Sequence, residues 1–96
     1  VAETGEVLIA SASGSQIPSY TFSSDNVIWV VGAQKIVPTL EDGFRRLRKY
    51  VLPLEDKRVK SIGQSGSTIG KILLFERETN LSRKITLIFV NEKLGF

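Results

Sequence analysis

A chain of 96 residues, 42% hydrophobic and 24% charged, suits one small globular domain and excludes disordered and fibrous classes. Its net charge of +3, from 13 basic and 10 acidic residues, is mild and carries no dense basic stripe, so no nucleic acid is implied. It has no Cys and no His, which excludes a disulfide scaffold, thiolate or iron–sulfur ligation, His-based metal sites and Ser–His or Cys–His catalytic pairs within these residues.

The start, Val-Ala-Glu-Thr-Gly-Glu, has no basic region followed by a long apolar one, so it does not read as a secretory signal. No apolar run approaches the roughly 20 residues of a membrane span. Together these features lead to the expectation of a soluble, cytoplasmic protein with no membrane partner, no metal and no cofactor of its own. The chain begins at Val1 and contains no Met, so excision from a longer protein is the simpler expectation.

Four apolar runs read as strands: Glu6 to Ser11, Val27 to Val31, Ile72 to Phe75, and Ile85 to Val90. They are short, rich in β-branched or aromatic residues, and bounded by Gly, Ser, Asn or charged residues. The second and third runs hardly alternate in polarity, which predicts strands covered on both faces. The link from Ala12 to Asn26 shows no evident helix.

Between the second and third strands lies the clearest helix. Leu40, Phe44, Leu47, Val51 and Leu54 recur at spacings of four and three and make one apolar stripe. Thr39 is a plausible N-cap, with Asp42 three residues on, and Pro53 is expected to stop or kink the helix. A second helical piece follows, about Leu54 to Ser61. Glu41 with Arg45 and Asp42 with Arg46 are acid-to-base pairs four residues apart. The wider basic cluster, Arg45, Arg46, Arg48, Lys49, Lys57, Arg58 and Lys60, reads as a solvated face. The strand–helix–strand portion fits a parallel crossover. The last two strands read as an antiparallel pair with an irregular turn at Asn80.

Gly63 to Lys71 ends in Gly-Lys as a phosphate-cradling loop would. Ser65 stands where the first Gly is required and Ile72 where a magnesium ligand is required, so a helix-to-strand connection is the better reading. Two other loops are more suggestive. Ser13, Gly14, Ser15 and Gln16 follow the first strand and can offer N–H groups and hydroxyls to an anion. Gly32 and Lys35 follow the second. If the two strands are parallel neighbours, both loops lie at one sheet edge, where open α/β sheets place ligands. Glu3 is a candidate catalytic carboxylate, against a plain surface turn.

These residues resemble a known family. Ala2 to Ile9 is similar to the Ala-Glu-Thr-Gly-Thr-hydrophobic stretch of LUD (lactate-utilization) domains. Val30 to Val37 with Leu40 and Glu41 resembles their Val-Val-Gly-x-x-Lys-Ile-Val segment. Tyr50 to Arg58 and the ending Ile88 to Phe96 resemble one branch of the family. Gly43 departs from a common Ala, and Glu6 from a common Thr. The family's domain extends upstream of the Ala-Glu-Thr-Gly stretch, so the chain is expected to be a single unit, residues 1–96, from the C-terminal part of a longer domain. The resemblance implies a fragment of a helix-flanked α/β sheet of the NagB/RpiA/CoA-transferase-like group, with about four strands and one main helix. It also implies a link to oxidation of lactate to pyruvate alongside iron–sulfur partner proteins.

The leading expectation is an accessory or ligand-binding component, taking a small anion through Ser13, Gly14, Ser15, Gln16, Gly32 and Lys35. An enzyme of the isomerase or acyl/CoA-transfer type, with Glu3 as base or nucleophile, is the alternative. A structural assembly subunit is the third reading.

Overall fold

The computed structural model describes residues 1–96. Four strands form: β1 (Val7–Ser11), β2 (Asn26–Gly32), β3 (Lys71–Phe75) and β4 (Lys84–Val90). One long helical segment covers residues 40–61 as α1 (Leu40–Arg46), a wider π-type turn (Leu47–Val51) and α2 (Leu52–Ser61). The mixed α/β class and the position of every expected element are as the sequence reading has them.

The helix start is as expected: Thr39 Oγ1 accepts the Asp42 N–H at 3.1 Å and bonds the Asp42 carboxylate at 2.8 Å. Pro53 does not stop the helix. It has no N–H to give, and its ring would crowd the carbonyl one turn back. The backbone relieves this by widening the preceding turn, where the Leu52 N–H reaches back five residues to the Leu47 carbonyl. Of the anticipated ion pairs, Asp42 meets Arg45 at 2.7 Å, three residues on, while Arg46 turns elsewhere. The connection from β1 to β2 carries a helical turn through Ser19–Ser23 that the sequence reading did not anticipate.

Strand pairing departs from expectation in two respects. β3 pairs antiparallel with β1, Val7 opposite Phe75 and Ser11 opposite Lys71. β4 pairs parallel with β2, Val27 opposite Ile85 and Gly32 opposite Val90. Thus β3 and β4 do not form a hairpin, and β2 and β3 are not the two ends of a parallel crossover.

The physical cause lies in Arg83. Its side chain is only 2% exposed and reaches back to the turn just ahead of β2. Its guanidinium donates to the carbonyls of Ser19 (3.1 Å), Tyr20 (3.1 Å), Thr21 (2.5 Å) and Ser24 (2.8 Å), and to the Glu78 carboxylate (2.9 Å). A cation over these carbonyls satisfies acceptors that the turn leaves free. The Lys84 N–H then meets the Asp25 carbonyl at 2.7 Å, and the parallel ladder with β2 begins.

The interior is thin. Ala2, Val7, Val27 and Val59 are its buried hydrophobic residues, and none of the large side chains is fully enclosed. Trp29 stands edge-on to Phe75 of β3 (5.2 Å) and to Tyr20 (5.7 Å), joining the two sheets at one end. The expected coverage of β2 on both faces is not met, because Ile28 and Val30 are 65% and 58% exposed. No helix is long and apolar enough to cross a membrane.

Candidate functional site

The Gly/Ser loop after β1 folds on itself. The Gly14 N–H donates to Ser11 Oγ (2.8 Å) and the Ser15 N–H to Ser13 Oγ (3.3 Å). Gly14 takes a positive φ of 84°, which a side chain would resist. Lys71, at the start of β3, donates its ammonium to the Ser13 carbonyl at 2.9 Å and lies along Gly14. The loop therefore gains a cation that the sequence reading did not assign to it, with Ser13, Ser15 and Gln16 exposed beside it.

After β2, Gly32 is buried because the C-terminal segment passes directly over it. A β-carbon there would stand 2.7 Å from the Glu92 carbonyl oxygen and 2.7 Å from the Leu94 nitrogen. Gln34 clamps the same segment, donating to the Leu94 carbonyl at 2.8 Å. Lys35 is half-buried, with its ammonium near Gly95. No hydrogen bond or ion pair links the Ser13–Gln16 loop to Gly32 or Lys35. Glu3 is exposed at a backbone pairing in which its N–H meets the Val37 carbonyl at 2.8 Å.

Lys35 does share a cavity with a residue that the sequence reading placed on a solvated face. A space of about 520 Å³ lies between β1, β2 and the helix, lined by 17 residues of which 14 are hydrophobic. Its charged side chains are Lys35 and Arg46, and no carboxylate side chain lines it. Arg46 stacks on Tyr50 at 4.7 Å and donates from Nη2 to a main-chain oxygen of Phe96, the last residue of the chain, at 2.5 Å, while its buried Nη1 has no partner. The indole N–H of Trp29, also on the cavity wall, is buried without a partner too. Val1 lines the same space, and its main-chain nitrogen donates to the Lys35 carbonyl at 2.9 Å.

The sequence reading places Arg46 on the solvated face, and the structure places it on the cavity wall instead. The remainder of the basic cluster is solvent-exposed, as expected.

The architecture is that of a small mixed α/β unit with an apolar, cation-bearing cavity under its helix. Residues 1–90 match the sequence model of the LUD domain, and the chain belongs to that family, which is associated with lactate utilization. Neither a curated relative nor a solved structure matches the chain.

Proposed function

We propose that this LUD domain is an accessory, ligand-binding component of a lactate-oxidation system, acting in the cytoplasm alongside iron–sulfur partner proteins as part of a longer LUD domain. Its ligand is a small anion such as a carboxylate or phosphate. The observation that carries the reading is the pair Lys35 and Arg46, two cations on one largely apolar wall with no carboxylate side chain beside them. Half-buried cations on an apolar wall favour an anion beside them. Gly32 holds the turn that aims Lys35, and the loop Ser13, Gly14, Ser15 and Gln16, with Lys71 beside it, supplies a second group of donors at the carboxyl end of β1. The binding reading is favoured over an isomerase or acyl-transfer enzyme because Glu3 is exposed and has no ion-pair partner.

Calorimetric titration of lactate and of phosphate into the wild type and Lys35→Met tests this. Saturable binding that weakens at least tenfold in Lys35→Met, and weakens with added salt, is expected. Equal affinity in both proteins, or no binding by either, contradicts it.

A further inference from the structure

The segment after β4, residues 91–96, is fastened to the two cations and to little else. It forms no helix or strand, and none of its main-chain groups bonds another main-chain group. Side chains hold it instead. Gln34 grips Leu94 at two points: its Nε2 donates to the Leu94 carbonyl at 2.8 Å, and its Oε1 accepts the Leu94 N–H at 3.4 Å. Gly95 takes a left-handed φ of 64°, and a β-carbon there would stand 3.2 Å from the Lys35 ammonium. Arg46 Nη2 donates to a main-chain oxygen of Phe96, and Phe96 lies on the cavity wall.

Both cations of the anion site therefore meet the same short segment. An anion on Arg46 would take the place that the Phe96 oxygen holds on Nη2. To reach Lys35 as well, it would enter the space against which Gly95 lies. A full negative charge is a stronger partner for a guanidinium than a neutral carbonyl. The grip that would remain, Gln34 on Leu94, is a neutral contact of modest net strength in water.

We propose that residues 92–96 are a strap that competes with the anion for Arg46 and Lys35. The strap closes over the cations when no anion is bound, and anion binding releases it. The proposal rests on the anion reading of these two cations and adds the regulation of that site. By linkage, a change that loosens the strap tightens the anion, and the anion loosens the strap by the same factor.

The test titrates phosphate into the 96-residue chain, into Gln34→Ala and Gly95→Asp, and into a chain extended by Gly-Gly-Ser, in which Phe96 keeps an ordinary carbonyl. Calorimetry gives the affinities, and amide nitrogen relaxation at Lys93, Leu94 and Gly95 reports the strap. Gln34 is not on the cavity wall, so its replacement removes the grip and leaves both cations in place. Gln34→Ala is expected to bind phosphate about fivefold more tightly or better. Gly95→Asp, a residue that tolerates the left-handed conformation, sets a carboxylate beside Lys35 and weakens phosphate about fivefold or more. The 93–95 amides of the unaltered chain become as mobile as a free chain end when phosphate saturates, and the extended chain behaves alike.

Four results overturn the proposal: equal or weaker phosphate affinity in Gln34→Ala; unchanged affinity in Gly95→Asp; 93–95 amides that stay ordered at saturation; or coupling lost in the extended chain, which makes a terminal carboxylate the competitor. The two readings fail separately. Phosphate binding that Lys35→Met abolishes and Gln34→Ala leaves unchanged removes the strap alone. No binding by any of the four proteins removes the anion site and the strap with it.

Discussion

Replacing Arg83 by Met keeps the length of the side chain and removes its five hydrogen bonds to Ser19, Tyr20, Thr21, Ser24 and Glu78. Hydrogen bonds to charged groups contribute about 1.5–3 kcal/mol each, but the five share one guanidinium and do not add. The carbonyls freed near the surface regain water in part, whereas Glu78 is left as a mostly buried, unpaired carboxylate. The loss of one partner from such a buried charge network costs about 3–5 kcal/mol. Small domains have about 5–15 kcal/mol in total, and this chain has few buried residues, so Arg83→Met is expected to be largely unfolded at room temperature. Arg83→Lys keeps the charge opposite Glu78 but loses the planar fork, and should cost about 1–3 kcal/mol. Glu78→Gln keeps an acceptor and should cost about 1 kcal/mol. Urea unfolding followed by the single Trp, Trp29, gives all three values. A loss below about 0.5 kcal/mol for Arg83→Met would refute the view that this residue ties the 76–83 segment to the entrance of β2.

The Asp56 carboxyl is held below its ordinary 3.8 by Lys60 first and then by the Ser67 N–H. A depressed carboxylate adds stability that is present above 3.8 and is lost as pH falls through its lower folded value, so the Ser67 amide signal should titrate below 3.8 and stop doing so in Asp56→Ala. Gly43→Ala should gain about 0.5–1 kcal/mol from helix propensity, since the new methyl would stand 3.0 Å from Leu8 Cδ1, a side-chain tip with room to move into the cavity; a loss above 1 kcal/mol in urea melts would show that Leu8 is fixed. Leu47→Ala and Arg46→Ala should cost alike, about 1–2 kcal/mol each, Leu47 because it borders the cavity instead of a packed core and Arg46 because it loses its Tyr50 stack and its Phe96 bond; a silent Arg46→Ala would return that residue to the solvated face.

The elements themselves were legible because each is a local pattern. The apolar runs gave β1 to β4, the stripe through Leu40 and Val51 gave the helix, and Thr39 with Asp42 marked its start. The pairing was not legible, because it depends on contacts distant in sequence. Nothing in the residues 76–84 distinguishes Arg83 from its charged neighbours, yet it is Arg83 that carries the chain to β2 and prevents a β3–β4 hairpin. Pro53 signalled a disturbance correctly, but whether a helix breaks or widens depends on the stripe that continues past it into Leu54 and Val59. At the site, Lys35 was visible as an ammonium after a strand. Arg46 was hidden in a run of exposed cations, and Lys71 lay in a loop read only as a connection.

The most direct test of the account is to find where an anion sits. Backbone amide shifts of the 96-residue chain are followed by NMR while lactate, and separately phosphate, is added at low salt. Saturable shifts at both Lys35 and Arg46 with one common dissociation constant, abolished by 0.5 M sodium chloride, are the predicted result. Shifts at one of the two alone, two different constants, or no response at either residue would contradict the claim that Lys35 and Arg46 hold a single anion.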